Sequence, residues 1–472
     1  MVFNSLDFVV FFAVTYGLYL ILPHRWQNRM LLVASYVFYG SWDWRFLSLL
    51  LISTVLDYTC GLRIAASENP RVRKTWLAVS LTGNLGMLGF FKYWGFFAQN
   101  LHRLLGSFGL DVSLPLLHIL LPVGISFYTF QTMSYVLDVY RREMPATRSL
   151  QGFALNVAFF PHLVAGPIVR TSRLLPQVLM PRRITTERIY NGLWLILWGF
   201  FLKCFVADNL APIADGVFGH ATPHEAGMVL VGVYAFAFQI FGDFAGYSSI
   251  AMGLANVMGF DLGTNFRQPY LVTNPQDFWK HWHISLSTFL RDYLYVPLGG
   301  NRGSRWATYR NLSITMLLGG LWHGAAWNFV AWGAYHGTLL AGHRALTEGR
   351  SKDAARPDGM GWKVVKIVFM FHLTCLGWLL FRARSLTQIG QFLGTLVHGS
   401  WTLSPVVRSG LLQVGSYVWL LMILQVVQAR GNDLFAPMRL PEWARVAVIV
   451  LAVESLLMAG AYGGKEFIYF QF

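Results

Sequence analysis

The sequence predicts an all-α polytopic membrane protein, for two reasons. Of its 472 residues, 55% are hydrophobic and 12% are charged, and this charged share is about half that of an ordinary soluble domain. Apolar runs also recur from one end to the other, for example at 8–22, 190–201, 364–380 and 446–458. Since a helix of roughly 20 apolar residues crosses a hydrocarbon core, we expect roughly ten to twelve membrane-crossing helices.

The apolar runs follow one another without a polar stretch the size of a soluble domain, so residues 1–472 are interpreted as a single membrane domain. Two segments, 150–168 and 270–300, do not fit a spanning helix, because Pro and Gly interrupt them and ionisable residues are mixed with apolar ones. Non-helical backbone is tolerated at membrane depth only where protein shields it. Both segments are therefore predicted to be re-entrant or interfacial and to line a site.

The net charge of +15 comes from Lys and Arg that gather in short loops, such as those at 63–74, 170–188 and 344–356. In a soluble chain this balance would suggest nucleic acid, but in a membrane protein an excess of basic residues marks the cytoplasmic loops. We therefore expect membrane lipid rather than nucleic acid around the chain, and an N-terminus on the outer side.

The three cysteines, Cys60, Cys204 and Cys375, stand in apolar context without paired spacing. This pattern predicts neither a disulfide framework nor a zinc site, and buried thiols are expected. No group of carboxylates or cysteines stands beside the histidines to complete a metal shell, so no metal is predicted.

Two motifs carry most of the information about function. His283 lies in FWKHWHISLSTFLRDYLYVPLGGNRGS (278–304), and His323 lies in LLGGLWHGAAWNFVAWGAYHG (317–337). An imidazole suits proton transfer near neutral pH, and apolar surroundings lower its pKa, so that it stays uncharged and able to act as a base. The alternative is a histidine that only makes hydrogen bonds inside a helical bundle. An ionisable side chain at membrane depth favours a functional site.

Basic residues flank the first motif. Lys280, Arg291, Arg302 and Arg305 are interpreted either as phosphate ligands or as interfacial anchors. The glycine-rich run at 299–303 resembles a phosphate-binding loop only loosely, because it lacks the Walker spacing.

The last six residues, FIYFQF, contain four aromatic side chains, Phe467, Tyr469, Phe470 and Phe472. One interpretation is an aromatic belt at headgroup depth. The other is a docking tail, since exposed aromatics in a row usually mark a contact surface. Such a tail would be folded back onto the protein or held by a partner.

Several further stretches are long and specific: LLVASYVFYGSW (31–42), ILLPVGISFYTFQTMSYVLDVYR (119–141), FFPHLVAGPIVR (159–170), FLKCFVADNLA (201–211), FGDFAGYSSIAMGL (241–254) and NFRQPYL (265–271). With the two histidine motifs, they make the sequence resemble the membrane-bound O-acyltransferase family almost from end to end. The likeness is closest to its bacterial polysaccharide branch, whose members serve alginate O-acetylation, and more distant to the teichoic-acid D-alanylation proteins. The His-x4-Asp motif and the Gly-x-Ser-x-Gly elbow of other acyl-transfer enzymes are absent from the sequence.

The resemblance implies a fold in which membrane helices and re-entrant segments surround a central tunnel, in a bacterial inner (cytoplasmic) membrane. It also implies that His323 is the catalytic base and His283 the second catalytic histidine, with acetyl-CoA entering as donor from the cytoplasmic side. The residues then expected to contact the donor are Lys280, Arg291, Arg302, Arg305 and Asn328.

The function implied by the resemblance is transfer of an acetyl group across the membrane to an exopolysaccharide, which is reached indirectly through a periplasmic O-acetyltransferase partner. The aromatic residues of the tail are then expected to contact this partner. Alginate and cellulose are both expected polymers. Cellulose is included because AGYSS (245–249) lacks the carboxylate of Ser-Gly-Tyr-Ser-Asp in relatives, and because His281 stands where relatives have Arg. The alternative function is a transporter or export channel for an acyl or sugar substrate, without transferase chemistry.

Overall fold

The computed structural model describes residues 1–110, 112, 120–164, 166–219, 225–348, 359–463 and 467–468. These residues are helical for most of their length, and the one β-type pairing among them is the isolated bridge between Glu225 and Ser400. The predicted all-α fold is confirmed. All three cysteines are free and buried, as their apolar context predicted.

Five helical stretches within the described residues are long and apolar enough to cross a membrane. They are His24–Ala65, Thr186–Phe218, Ala226–Val257, Met360–Arg382 and Pro405–Gly431. Several long apolar helices in one chain are the property that the composition predicted, and a polytopic membrane protein is confirmed. The total of ten to twelve crossings stays a prediction.

The chain divides into two compact units, which are described separately. The first comprises residues 1–193 and 250–263, and the second comprises residues 194–249 and 264–472. The interpretation of residues 1–472 as one membrane domain stays a prediction.

The first unit contains nine complete helices within its described residues. They are α1 (Leu6–Ile21), α2 (His24–Asp43), α3 (Leu47–Ala65), α4 (Pro70–Leu88), α5 (Trp94–Ser107), α6 (Ile125–Tyr140), α7 (Leu150–Ala158), α8 (Phe160–Leu163) and α9 (Thr171–Leu179). The start of α10 (Thr186–Phe200) and the end of α12 (Ala226–Val257) also belong to it. Its apolar core is formed by buried side chains of α2, α3, α6 and α7, including Leu50, Tyr135 and Phe153. The segment 150–168 is divided between α7 and α8, as its Pro and Gly predicted.

The second unit holds the remainder of α10 and α12 and the helices that follow. They are α11 (Asp208–Phe218), α13 (Pro275–His281), α14 (Ile284–Leu290), α15 (Arg305–His323), α16 (Trp327–Thr347), α17 (Met360–Arg382), α18 (Leu386–His398), α19 (Pro405–Gly431) and α20 (Glu442–Ala459). Both histidine motifs lie in this unit.

The segment 270–300 is broken, as predicted. Asn274 begins α13 by accepting a hydrogen bond from the Asp277 amide at 2.8 Å, and Pro275 occupies the first turn, where its missing N–H costs nothing. Helices α13 and α14 have seven residues each, so each is only about 10 Å long. Neither crosses a membrane. The re-entrant position of the segment stays a prediction.

Helices α15 and α16 form a tightly packed hairpin. Ser304 begins α15 by accepting from the Ala307 amide at 3.2 Å. The close crossing depends on two glycines, because a Cβ atom at Gly320 would overlap the Phe329 carbonyl oxygen and one at Gly333 would overlap the Met316 carbonyl oxygen. The hairpin therefore places the last residue of α15, His323, directly against α16.

Candidate active site

His283 stands at the break between α13 and α14 in an uncommon backbone conformation. Its φ and ψ are 42° and 55°, in the left-handed region that a residue with a Cβ atom seldom adopts. Such a conformation costs about 1–3 kcal/mol and persists only when the surroundings impose it. Here the next amide, that of Ile284, donates to the Asn265 carbonyl oxygen at 2.8 Å. The main chain at Asn265 thus helps to hold the histidine in place.

The Asn265 side chain fixes the imidazole of His283. Its Oδ1 accepts from the Ser285 hydroxyl at 2.8 Å and from the Ser285 amide at 3.3 Å, which identifies this atom as the oxygen. Its Nδ2 donates to the Ser248 hydroxyl at 3.0 Å. The Nδ1 of His283 lies 3.2 Å from the same Oδ1. Asn265 itself is fully buried.

The contact with Asn265 determines which nitrogen of His283 carries the proton. An amide oxygen only accepts hydrogen bonds, so Nδ1 of His283 must be the protonated nitrogen. In a neutral imidazole the other nitrogen, Nε2, then holds a lone pair and acts as base or acceptor. The site therefore presents one imidazole in a defined tautomer.

The surroundings of His283 keep its ring neutral. The ring is fully buried, with the edge of Phe244 at 4.6 Å and the ring of Phe266 at 6.2 Å between centroids. The break between α13 and α14 lies outside the five candidate spans. Burial lowers the pKa of His283 to about 3, because an apolar environment disfavours the charged form. The predicted neutral histidine is thus supported at this position.

His323 lies at the carbonyl end of α15 and is buried, with 3% of its surface exposed. Its ring contacts Trp322 and Trp332 at 5.0 Å each, and Phe381 at 5.4 Å, measured between centroids. Aromatic rings therefore surround the imidazole of His323 at the end of α15.

The structure brings the two histidines into one neighbourhood. The Trp322 ring lies 6.0 Å from the ring of His283 and 5.0 Å from that of His323. A third histidine, His336 on α16, is reached through Trp332, whose ring lies 4.7 Å from it. Two buried imidazoles on one indole form the candidate active site.

The predicted donor residue Asn328 lies beside this site. It is buried, and its Nδ2 donates to the Phe381 carbonyl oxygen at 3.1 Å. This bond fixes the end of α17, where the Phe381 ring contacts His323. Asn328 thus supports the residue that packs against His323, and a contact between Asn328 and acetyl-CoA stays a prediction.

The four predicted basic residues lie on the exposed surface, whereas both histidines are buried. Lys280 pairs with Asp277 at 2.9 Å, and Arg291 pairs with Asp292 at 2.6 Å. Arg305 lies over the Trp306 ring at 5.7 Å, and Arg302 is exposed in the preceding turn. Phosphate binding by these residues stays a prediction.

The glycine-rich run at 299–303 forms a turn that uses its own amides. The amides of Gly299, Gly300 and Arg302 donate to the carbonyl oxygens of Val296, Tyr295 and Gly299, at 3.0, 2.9 and 2.9 Å. A phosphate-binding loop needs such N–H groups directed at its ligand. The loose resemblance to a phosphate loop is therefore not reflected in the geometry of the turn.

Of the four tail aromatics, Phe467 lies within the described residues, and Tyr469, Phe470 and Phe472 lie outside them. The Phe467 ring is fully buried and contacts Phe244 at 5.4 Å and Tyr247 at 4.9 Å. A ring buried in its own chain does not offer a surface to a partner. The burial of Phe467 fits the folded-back arrangement of the tail, and a contact between the tail and a partner stays a prediction.

Asn265 is the site residue that sequence reasoning missed. It opens the stretch NFRQPYL (265–271), but a lone amide carries no chemical signal by its spacing. Among the residues that the structure describes, no three His, Cys, Asp or Glu side chains are grouped as metal ligands.

Comparison with known proteins identifies a family and several relatives, one of which matches the chain over its full length. The membrane-bound O-acyltransferase family model matches residues 141–381. The chain is 41% identical to the probable alginate O-acetylase AlgI of Azotobacter vinelandii, over 100% of both proteins. It is 36% identical to the peptidoglycan O-acetyltransferase of Helicobacter pylori, over 84% of this chain and 80% of that protein. It is 27% identical to the teichoic acid D-alanyltransferase of Bacillus subtilis, over 56% of this chain and 69% of that protein.

Proposed function

Because this chain belongs to the membrane-bound O-acyltransferase family and is an O-acyltransferase, we propose that it takes acetyl groups from cytoplasmic acetyl-CoA. In this proposal it lies in the inner membrane and passes the acetyl group to the outer side. A periplasmic partner protein then completes O-acetylation of an exopolysaccharide. The relatives are named as acetyl- or alanyl-transferases, which favours this function over a transport channel.

The proposal rests chiefly on two buried imidazoles that share the Trp322 ring, one of them with a defined tautomer. In the proposed reaction His323 takes the proton of an acceptor hydroxyl as the hydroxyl oxygen attacks the thioester carbonyl. The new C–O bond forms, the C–S bond breaks, and the departing thiolate receives the proton from His323. No metal is required for this sequence of steps.

The tautomer of His283 limits the role that this residue has in the proposed reaction. Because its Nδ1–H is directed at Asn265, its Nε2 accepts rather than donates while the ring is neutral. It therefore suits orientation of the acceptor hydroxyl and not stabilisation of the oxyanion.

The polymer is proposed from the names of relatives and from departures in the sequence. Alginate is favoured because the full-length relative from Azotobacter vinelandii is named as a probable alginate O-acetylase. Cellulose stays as the second polymer, on the sequence departures at 245–249 and at His281. Exposed Lys280, Arg302 and Arg305 are proposed to meet the phosphates of the donor.

The reaction is tested by incubating the purified protein with acetyl-CoA and measuring the release of free thiol. The wild-type protein should release thiol, and His323→Ala should lower the rate by about 10²–10⁴-fold, the usual contribution of general acid–base catalysis. The control is His398→Ala, which removes an exposed histidine at the end of α18 and should retain the wild-type rate. Equal rates in all three proteins would contradict the proposed role of His323.

A further inference from the structure

A buried group of charges lies in the second unit and has no part in the proposed chemistry. Lys203 lies in the π-helical turn Phe201–Ala207, Asp208 begins α11, and Asp243 lies on α12. The Lys203 ammonium is 2.8 Å from Asp208 Oδ1 and 2.6 Å from Asp243 Oδ1. The side chain of Lys203 is 1% exposed, and those of Asp208 and Asp243 are 4% exposed each. We call these three residues the ion cluster.

An ion cluster at this depth calls for a functional explanation. Removing charges from water is costly, and a buried charge persists only when it is paired and hydrogen-bonded. Ionisable residues within membrane helices mark functional sites by default. Two carboxylates meet a single ammonium here, so the second oxygen of Asp243 needs a hydrogen-bond donor of its own.

That donor comes from the C-terminal segment. The amide of Ile468 donates to Asp243 Oδ2 at 2.6 Å, and a hydrogen bond to a carboxylate is about twice as strong as one between neutral groups. Ile468 and the preceding Phe467 are 3% and 0% exposed. The segment 467–468 is thus held through its main chain as well as by apolar contact.

The anchored segment lies one side chain away from the candidate active site. The Phe467 ring meets the Phe244 ring at 5.4 Å, and the Phe244 ring meets the His283 ring edge-on at 4.6 Å. Phe244 directly follows Asp243 on α12. Packing therefore connects the ion cluster to His283 through two phenyl rings.

We propose that Asp243 is a positioning residue, which anchors the segment 467–468 so that Phe467 holds Phe244 against His283. Lys203 and Asp208 keep the Asp243 carboxylate oriented toward the Ile468 amide. This inference rests on the proposed function, because a positioned His283 matters only if His283 takes part in acetyl transfer. The alternative is an ion cluster that stabilises the helices and leaves the histidine unaffected.

The test combines amide hydrogen exchange with kinetics on the full-length protein in detergent. Asp243→Ala should raise the exchange rate of the Ile468 amide by about tenfold or more, as expected for loss of a hydrogen bond to a charged group. It should also lower kcat for thiol release while leaving the KM for acetyl-CoA within about twofold. Asp243→Asn retains an acceptor oxygen and should recover much of both properties. Glu68→Gln removes an exposed carboxylate in the first unit and should change neither.

Three results would overturn the proposal. The first is an Ile468 amide that exchanges at the same rate in Asp243→Ala as in the wild type. The second is faster exchange with an unchanged kcat, and the third is Asp243→Asn behaving like Asp243→Ala in both measurements. If Asp243→Ala loses protection throughout, Ile468→Pro removes the amide donor and leaves the ion cluster itself unchanged. It should lower kcat with the other amides protected, and an unchanged kcat would again refute the proposal.

The same experiment separates this inference from the proposed function. A wild-type protein that releases no thiol contradicts the transferase reaction, whatever the Ile468 amide does. A wild-type protein that releases thiol while its Ile468 amide exchanges freely contradicts only the anchor.

Discussion

Substitution of Asn265 should damage both catalysis and stability. In Asn265→Ala, the Nδ1–H of His283 and both the amide and the hydroxyl of Ser285 lose their Oδ1 acceptor. Leaving a buried donor without its acceptor costs about 1–3 kcal/mol. The Ser285 hydroxyl can rotate, so the two N–H donors account for most of the cost, about 2–6 kcal/mol at most. The imidazole is then free to change tautomer, which moves the proton from Nδ1 onto Nε2 and removes the lone pair that Nε2 offers in the proposed reaction.

The catalytic loss should approach that of removing the imidazole, about 10²-fold or more in kcat. The assay is thiol release from acetyl-CoA, run beside the thermal unfolding midpoint of each variant in the same detergent. The control is Asn69→Ala, because Asn69 caps α4 by accepting from the Arg71 amide at 2.9 Å. Loss of such a cap costs about 0.5–2 kcal/mol, and it should leave kcat unchanged.

Asn265→Asp distinguishes orientation from charge. The carboxylate keeps an acceptor beside Nδ1, but its negative charge raises the pKa of His283 above the wild-type value of about 3. The neutral ring is then lost as the pH falls through the raised pKa. Asn265→Asp should therefore be more active than Asn265→Ala near neutral pH and should lose activity at a higher pH than the wild type on the acid side.

The reasoning about Asn265 would be refuted by either of two results. One is an Asn265→Ala variant that stays folded and keeps the wild-type kcat. The other is an Asn265→Asp variant whose acid limb coincides with that of the wild type.

Two further predictions concern the donor and the membrane orientation. Reversing the charge of Lys280, Arg302 and Arg305 together should raise the KM for acetyl-CoA by about tenfold, the order of a lost charge-assisted contact, and lower kcat less. The control is Arg103→Glu, which reverses the charge of an exposed arginine on α5 in the first unit. A KM and a kcat that both stay unchanged in the triple variant would mean that its three side chains are interfacial anchors. A cysteine in place of the exposed Arg45 should react with an impermeant thiol reagent in intact cells, whereas one in place of the exposed Arg142 should not. The reverse pattern would mean that the N-terminus is cytoplasmic.

The sequence predicted the parts of this protein that are encoded locally. Composition and apolar runs predicted the all-α membrane fold, and Pro and Gly predicted that the segment 270–300 does not form one spanning helix. The hydrogen-bond partner of His283 could not be predicted from the sequence. Asn265 lies 18 residues away, and only the folded backbone brings its side chain to the imidazole ring. The same holds for Asp243 and Ile468, which are 225 residues apart. Composition could not choose between a belt and a folded-back tail, since aromatic residues suit both.

The glycine-rich turn shows why a loose resemblance to a phosphate loop predicts little. Its sequence suggests a phosphate loop because glycine permits the required backbone conformations, and Gly299, Gly300 and Gly303 do have positive φ. The amides of Gly299, Gly300 and Arg302, however, donate within the turn. The same conformational freedom that permits a phosphate loop also permits a turn that closes on itself.

The central claim, that His283 and His323 act together in one site, is tested most directly by the acetyl-transfer rate of the double variant His283→Gln/His323→Gln. Each single variant should lose about 10²–10⁴-fold. Residues that act as a unit give non-additive losses, so the double variant should be within about tenfold of the slower single variant. A double variant whose loss equals the product of the two single losses would contradict a shared site, as would a single variant that keeps the wild-type rate.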